Sequence, residues 1–485
     1  MKRLHGFLIA GFLMPAVVAL PLAGGQTGVS SPAPALPTGT VVETITCQGA
    51  PDQRYALYLP SGYTPDRQWP ILYALDARGQ APDTAAVFKL GAERYGWIVA
   101  SSYNSASDLS VDPNPAALRA MWTDTHARLS IDDRRVYAAG YSGTVRSAIR
   151  LALIAPGSIT GIFGAGAGFP FERPPSQGDP FDFFGTVGDR DFNYYEMLDL
   201  EKKLIALSLP YRIEHFRGLH DWPPPELAAR GIGWLELRAM QRGLRARDAG
   251  LIDALWTGDL EQARQEEAAG RVTDAFRTWS AMQRSYSGLR DTAEATRKAA
   301  EIGASAALQR ETAQREERIK RDKAYLAEAP RIFSRAMGGG DDAPPPTAAR
   351  IAAELEIAEW KKRTQSTDVE ESLSAERVLS TLWGQTASYL PTSYIERKEW
   401  DNAILMLSVA AEIRPDNPNV WVSIASVHLR KGKAGRKRAL EALEKAVALG
   451  YSDRARLDRE PFDGLREDNR FQEILGKMPE GGGRG

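Results

Sequence analysis

A single cysteine, Cys47, stands in a chain of 485 residues, so no internal disulfide is possible and the folded state depends on its packed core. Charge of one sign is also missing, since 61 Lys and Arg oppose 62 Asp and Glu. With no basic field, and no basic run interleaved with aromatics, a nucleic-acid partner is not expected. Histidine is scarce, five in all, which leaves few candidates for a general base. No cofactor or metal is expected. Beyond the first 25 residues no stretch is apolar enough to span a bilayer.

The one long apolar run follows Met1-Lys-Arg-Leu-His-Gly6 and extends from Phe7 to Ala23, with Ala23-Gly-Gly25 supplying small residues after it. A charged start, an apolar middle and a small-residue end make residues 1–25 an expected secretory signal peptide, cleaved after Gly25. An uncleaved anchor is the competing reading. However, Gly11, Pro15 and Pro21 interrupt the run, and it is shorter than the ~20 residues that cross a membrane comfortably. The expected location is therefore secreted or periplasmic. Cys47 lies too far beyond the cleavage region for a lipid-modified terminus, and reads as a packing residue or a free thiol.

Length sets a prior of about three domains. Residues 26–40, rich in Gly, Ser, Pro and Thr, read as a flexible leader. From 41 to 240, short β-rich runs alternate with helical ones. Expected strands are Tyr55 to Leu59, Pro70 to Leu75, Trp97 to Ser101, Val136 to Ala139, Gly161 to Gly164, Phe181 to Gly185 and Tyr211 to Phe216. Helical stretches include Pro115 to Leu129, Val145 to Ile154 and Tyr195 to Leu207. Such alternation predicts an α/β class with a mostly parallel sheet covered on both faces. After residue 240 the composition turns to Ala, Glu, Leu, Arg and Lys at helical spacing, giving helical regions at 241–337 and 347–485 around a hinge or loop at 338–346. Ala403, Ala410, Pro415, Trp421, Ala425 and Gly432 fall at the spacings of a tetratricopeptide helix pair, and Ala439 and Ala446 continue it after an offset at Lys433 to Lys437. Small residues there let helices approach, and Trp421 and Ala425 are expected in the core. A weaker pair spans 260–270 and 272–279. The outer surface of these helical repeats is a candidate for binding a protein partner.

The run Arg135-Val-Tyr-Ala-Ala-Gly140-Tyr141-Ser142-Gly143-Thr144 carries the chemistry. An apolar strand ends at a tight turn before a helix, which lifts a serine hydroxyl clear of the sheet and aims the Gly143 NH at a developing oxyanion. Thr144 occupies the position of the last glycine in a G-x-S-x-G motif. Among the histidines, His5 leaves with the signal, His126 precedes the serine, His215 lies in a strand and His428 in a repeat helix. His220 remains, in a loop after the last strand. An orienting acid is expected between Ser142 and His220, and the loop Gly185 to Asn193 offers Asp191, with Asp189 second. The second oxyanion donor is expected after an early strand, from the backbone of Ala77 or Arg78. Tyr141, Tyr194 and Trp222 read as packing around the site.

Gly140-Tyr-Ser142-Gly143, Gly188-Asp-Arg-Asp191 and Gly218-Leu-His220-Asp-Trp-Pro223 resemble the elbow, acid loop and histidine loop of secreted α/β-hydrolases of the esterase type, similar to feruloyl esterases, polyhydroxyalkanoate depolymerases and dienelactone hydrolases. The resemblance covers residues 41–240 and implies a Ser-His-Asp triad acting on a small-molecule or polymeric ester. Two other readings remain at this level: a peptidase with the same triad, and an inert hydrolase-fold protein that binds a partner. Only 165–180 separates the strand after the elbow helix from the acid strand, so an open site is expected unless the helical region covers it.

Overall fold

Short apolar runs bounded by Gly, Pro and Asp turns become eight strands in the computed structural model, which describes residues 36–337 and 346–478. The expected signal segment, most of the leader and most of the 338–346 hinge lie outside the described residues. The strands are β1 (Val41–Cys47), β2 (Ala50–Tyr58), β3 (Trp69–Leu75), β4 (Ile98–Ser102), β5 (Ile131–Tyr141), β6 (Gly161–Ala165), β7 (Asp182–Gly188) and β8 (Tyr211–Phe216). They form one sheet in the order β1-β2-β4-β3-β5-β6-β7-β8. β2 runs antiparallel to β1 and β4, and every other pairing is parallel. β3, β4, β6 and β7 are buried along their whole length, as strands covered on both faces must be. β1 has no counterpart in the sequence-based expectation. It is an edge strand in which only Ile45 and Cys47 are buried, so it lacks the apolar run by which the others are recognised.

The helices that cover the sheet are α1 (Ala81–Tyr95), α2 (Asn114–Arg128), α3 (Gly143–Ile154), α4 (Tyr194–Ala206) and α5 (Pro225–Gln241). Glycine lets α1 and α5 touch, because a Cβ on Gly91 would lie 2.7 Å from the Ala229 Cα. Beneath them Phe88, Phe163, Phe184 and Trp234 form an aromatic core, with Phe88 edge-on to Phe163 at 5.1 Å. A mostly parallel sheet in this order, with an antiparallel second strand and flanking helices, is the α/β-hydrolase fold.

Beyond β8 the described residues contain helices and no further strand. These are α6 (Ala249–Ala268), α7 (Val272–Ser285), α8 (Ala293–Gly303), α9 (Ala306–Met337), α10 (Ala348–Glu354), α11 (Ile357–Arg363), α12 (Val369–Gly384), α13 (Leu390–Glu396), α14 (Trp400–Ile413), α15 (Pro418–Arg430) and α16 (Arg436–Ala448), followed by short helical turns. One π-helical turn, Gln385–Tyr389, joins α12 to α13. Ala403, Ala410, Ala425, Ala439 and Ala446 are all buried where α14, α15 and α16 meet. Trp421 departs from expectation. It is only partly buried, its indole capped by the Lys445 ammonium at 3.7 Å, so the core is closed by the small residues beside it.

The helical region is joined to the sheet part by buried polar contacts. The Tyr195 hydroxyl on α4 donates to Asp322 on α9 at 2.6 Å, and Ser374 on α12 donates to the same carboxylate. Arg212 on β8 forms a two-point ion pair with Asp259 on α6 at 2.8 and 2.9 Å.

Candidate active site

The strand β5 ends at Tyr141 and α3 begins at Gly143, so Ser142 takes the whole reversal itself. Its φ of 57° and ψ of −132° put a non-glycine residue in a region that side chains resist. The turn is held on both sides. The Ser142 NH donates to the Ala165 carbonyl on β6 at 2.8 Å. Gly140 is the glycine the turn cannot lose, because a Cβ there would sit 2.5 Å from the Val145 nitrogen. Thr144, the residue out of pattern, is fully buried and uses its hydroxyl. It accepts from the Tyr141 NH at 2.9 Å and reaches the Leu75 carbonyl at the end of β3. The hydroxyl therefore ties two strand ends together where a glycine would only leave room.

Asp191 and His220 meet across two loops. Asp191 Oδ1 lies 2.8 Å from His220 Nδ1 and also accepts the Asn193 NH at 2.7 Å. With the carboxylate at Nδ1, the imidazole is held as the tautomer whose Nε2 is free to accept a proton. That Nε2 is buried and has no hydrogen-bond partner among the described residues. The loops approach closely because of glycine, since a Cβ on Gly188 would lie 2.4 Å from the Leu219 carbonyl oxygen. Asp189 does something different. Its carboxylate accepts the Gly218 NH at 3.0 Å and its own NH donates to the Phe216 carbonyl at 2.8 Å. It fastens the acid loop to the histidine loop and does not touch the imidazole.

Gly166 was not singled out in the sequence, yet it stands between these parts. It has φ of +66°, and a Cβ on it would lie 2.9 Å from two atoms of the His220 ring and 3.0 Å from Asp191 Oδ2. It directly follows Ala165, the residue that holds the Ser142 NH. Sequence offers no signal for it beyond a glycine after a strand.

The oxyanion side rests on the turn after β3. Asp76 is fully buried and accepts from the NH groups of Arg78 at 2.7 Å and Gln80 at 3.1 Å, and from the Trp222 indole at 2.8 Å. The Arg78 NH is therefore engaged by Asp76, which leaves Ala77 of the two expected donors. The Ala77 carbonyl accepts the Ser107 NH at 3.1 Å, and Ser107 in turn closes over Gly143, where a Cβ would meet Ser107 Cβ at 2.6 Å. Trp222 packs edge-on against Phe88 at 5.4 Å, and Tyr141 donates to the His220 carbonyl at 2.7 Å. Tyr194 is buried under the Arg377 guanidinium at 4.1 Å. All three act as packing.

The other groups lie elsewhere. His126 stacks on Trp122 at 4.6 Å and pairs with Asp133 at 3.0 Å. Cys47 is buried, and burial together with nearby Asp124 pushes its thiol up to about 11, so it is no nucleophile at neutral pH.

No protein-family model and no curated protein matches the sequence. Among solved structures, the chain is similar to an S-formylglutathione hydrolase from Staphylococcus aureus, at 16% identity over 38% of this chain and 92% of that one, with a TM-score of 0.31. It is also similar to the feruloyl esterase module of Clostridium thermocellum complexed with sinapinate, at 14% identity over 42% and 88%, with a TM-score of 0.33. An esterase from Pyrobaculum calidifontis gives 14% identity over 42% and 86%, with a TM-score of 0.34. Likeness at this level carries no weight for function, which rests on the site's own geometry.

Proposed function

We propose that this protein is a serine hydrolase of carboxylic esters, with Ser142 as nucleophile, His220 as general base and acid, and Asp191 as the orienting acid. One observation carries the reading: Asp191 grips His220 Nδ1 while Nε2 stays buried and without a partner among the described residues, and Ser142 is strained into a strand-to-helix elbow, its NH held by Ala165, the residue before the Gly166 that abuts the His220 ring. In the proposed reaction, Ser142 Oγ attacks the carbonyl carbon as Nε2 takes its proton. The tetrahedral oxyanion is met by the Gly143 NH, at the positive end of α3, and by the Ala77 NH. His220 then returns the proton to the departing alkoxide, and water repeats the sequence on the acyl-serine.

The test is covalent labelling by a fluorophosphonate, followed by turnover of a panel of acyl esters and peptides. Ser142→Ala should abolish labelling, and Asp191→Asn should lower kcat by about 10³–10⁴-fold. Equal labelling of Ser142→Ala and the wild type would sink the proposal, and turnover of peptides in preference to esters would replace the substrate class. Export belongs to the same proposal, on the strength of the amino-terminal pattern. Sequencing the amino terminus of the protein recovered outside the cytoplasm should give Gln26 as the first residue, and a product beginning at Met1 would refute cleavage.

A further inference from the structure

We propose that Tyr389, from the helical region, forms part of the substrate site, contacting the part of the ester that lies beyond the scissile carbonyl. This rests on the hydrolase reading above and adds a specificity residue to it. A composite site of this kind was left open by the sequence, which showed only that no insertion within the sheet part covers the serine.

α12 and α13 form one continuous helical path, but Pro391 has no NH, and its ring clashes with the carbonyl four residues earlier. The chain answers with a π-helical turn at Gln385–Tyr389, in which the Leu390 NH donates to the Gln385 carbonyl, five residues back. An extra residue in a turn re-aims the side chains that follow it. Tyr389 is the last residue of that turn, and it is 44% exposed.

The ring points to the catalytic mouth. α12 lies along the acid loop: Arg377 Nε donates to the Asp189 carbonyl at 2.7 Å, and a Cβ on Gly384 would be 3.5 Å from the Phe192 ring. Phe192 packs on the His220 imidazole with ring centroids 3.9 Å apart, and Tyr389 stands edge-on to Phe192 at 6.4 Å and 90°. Tyr389 is therefore one ring removed from the general base. Its phenol also lies within electrostatic reach of Asp108, Arg146, Glu196 and Asp191. These four mark the surroundings of Ser142. Asp108 lies near where a Gly143 Cβ would point, Arg146 is one turn along α3, Glu196 pairs with Arg146 at 2.7 Å, and Asp191 holds His220. The Tyr389 hydroxyl has no hydrogen-bond partner among the described residues, and the side chain is part exposed, which leaves it surface to offer a substrate. Phe192 and Tyr389 together make an aromatic wall suited to a flat or extended apolar group, while a group as small as acetyl would fall short of it.

The experiment measures the rate at which Ser142 is labelled by two fluorophosphonates, one with a methyl group and one with a 3-phenylpropyl group, in the full-length protein. The expected result is that Tyr389→Ala slows the phenylpropyl reagent about five- to tenfold and changes the methyl reagent by less than about twofold. Tyr389→Phe should keep most of the phenylpropyl rate, and the half-exposed position should leave the melting temperature close to wild type in both variants. A phenylpropyl preference that survives Tyr389→Ala, or equal slowing of both reagents, overturns the inference while leaving the serine hydrolase intact. Failure of both reagents to label wild type would instead overturn the parent reading, and this inference with it, whereas failure of the phenylpropyl reagent alone would overturn only the inference.

Discussion

Ser142 has the left-handed backbone of its elbow imposed by its neighbours, and Gly166 has the same requirement without a functional group to show for it. A non-glycine residue at a φ near +60° costs about 1–2 kcal/mol, so Gly166→Ala should lower stability by that amount. It should also do something that strain alone does not, because its new methyl collides with the His220 ring and Asp191 Oδ2. Gly178 supplies the control, with φ of +88° and nothing within 4 Å of a Cβ. Gly178→Ala and Gly166→Ala are expected to lose comparable stability in urea titrations, with only Gly166→Ala losing tenfold or more in kcat. Equal activity in the two would show that the glycine is needed for the backbone and not for room beside the imidazole. Thr144 illustrates why a motif residue is not read by size alone. Its hydroxyl, bonded to the ends of β3 and β5, is invisible in a pattern that asks only for smallness.

At the level of elements, β8 carries two titratable side chains held away from water, the buried Arg212, paired with Asp259 of α6, and His215, whose Nε2 is buried. Burial opposes ionisation of Asp259, yet Arg212 and Arg230 hold its carboxyl down to about 2. On the same strand, burial first and then the cations of Arg277, Arg315 and Arg377 hold the His215 imidazole well below the usual histidine range. The two groups act on stability in the same direction but in different windows. For His215, the unfolded chain takes up a proton near pH ~6.5 that the folded chain refuses, so stability falls as the pH drops below that value. For Asp259, the contribution is complete above the unfolded value of ~4 and is lost as the pH falls toward about 2. Urea midpoints should therefore decline between pH 7 and 5, and His215→Gln should flatten that segment. A midpoint that declines equally in His215→Gln would assign the slope to other groups. β1 belongs to the same scale: an edge strand needs few buried side chains, and its sequence carries correspondingly little apolar signal.

For the whole molecule, the seam between sheet and helices turns on Asp322, 1% exposed, which accepts from Tyr195 on α4, Ser374 on α12 and Arg321 beside it. Removing a shared buried acceptor strands its donors at about 1–3 kcal/mol each. Asp322→Ala strands the two buried hydroxyls of Tyr195 and Ser374 and should thus lower the unfolding free energy by about 2–6 kcal/mol, measured by urea at pH 7. A loss below about 1 kcal/mol, the size of a surface change, would show that Asp322 does not hold the seam. The aromatic wall of Phe192 and Tyr389 depends on the same seam, since α12 carries Tyr389 along the acid loop.

Much of this was legible in the chain because it is local. A strand, a Gly-x-Ser-Gly turn, an acid loop and a histidine loop follow one another in an order that the α/β alternation imposes, and each is recognised within about ten residues. Alanines at helical spacing likewise announced that α14, α15 and α16 would pack closely. What tertiary structure decided is what depends on separation in sequence. Asp191 rather than Asp189 faces His220 because Gly188 lets Leu219 approach at one particular register. The Arg78 NH is taken up by Asp76, which also reaches Trp222, 146 residues away, while the Ala77 NH has no partner among the described residues. Tyr389 comes to stand over the mouth only because a proline widens a helix whose path is fixed by buried contacts to α4 and the acid loop. Local preference sets which elements form, but which side chains converge is set by the packing of surfaces that no short window of sequence contains.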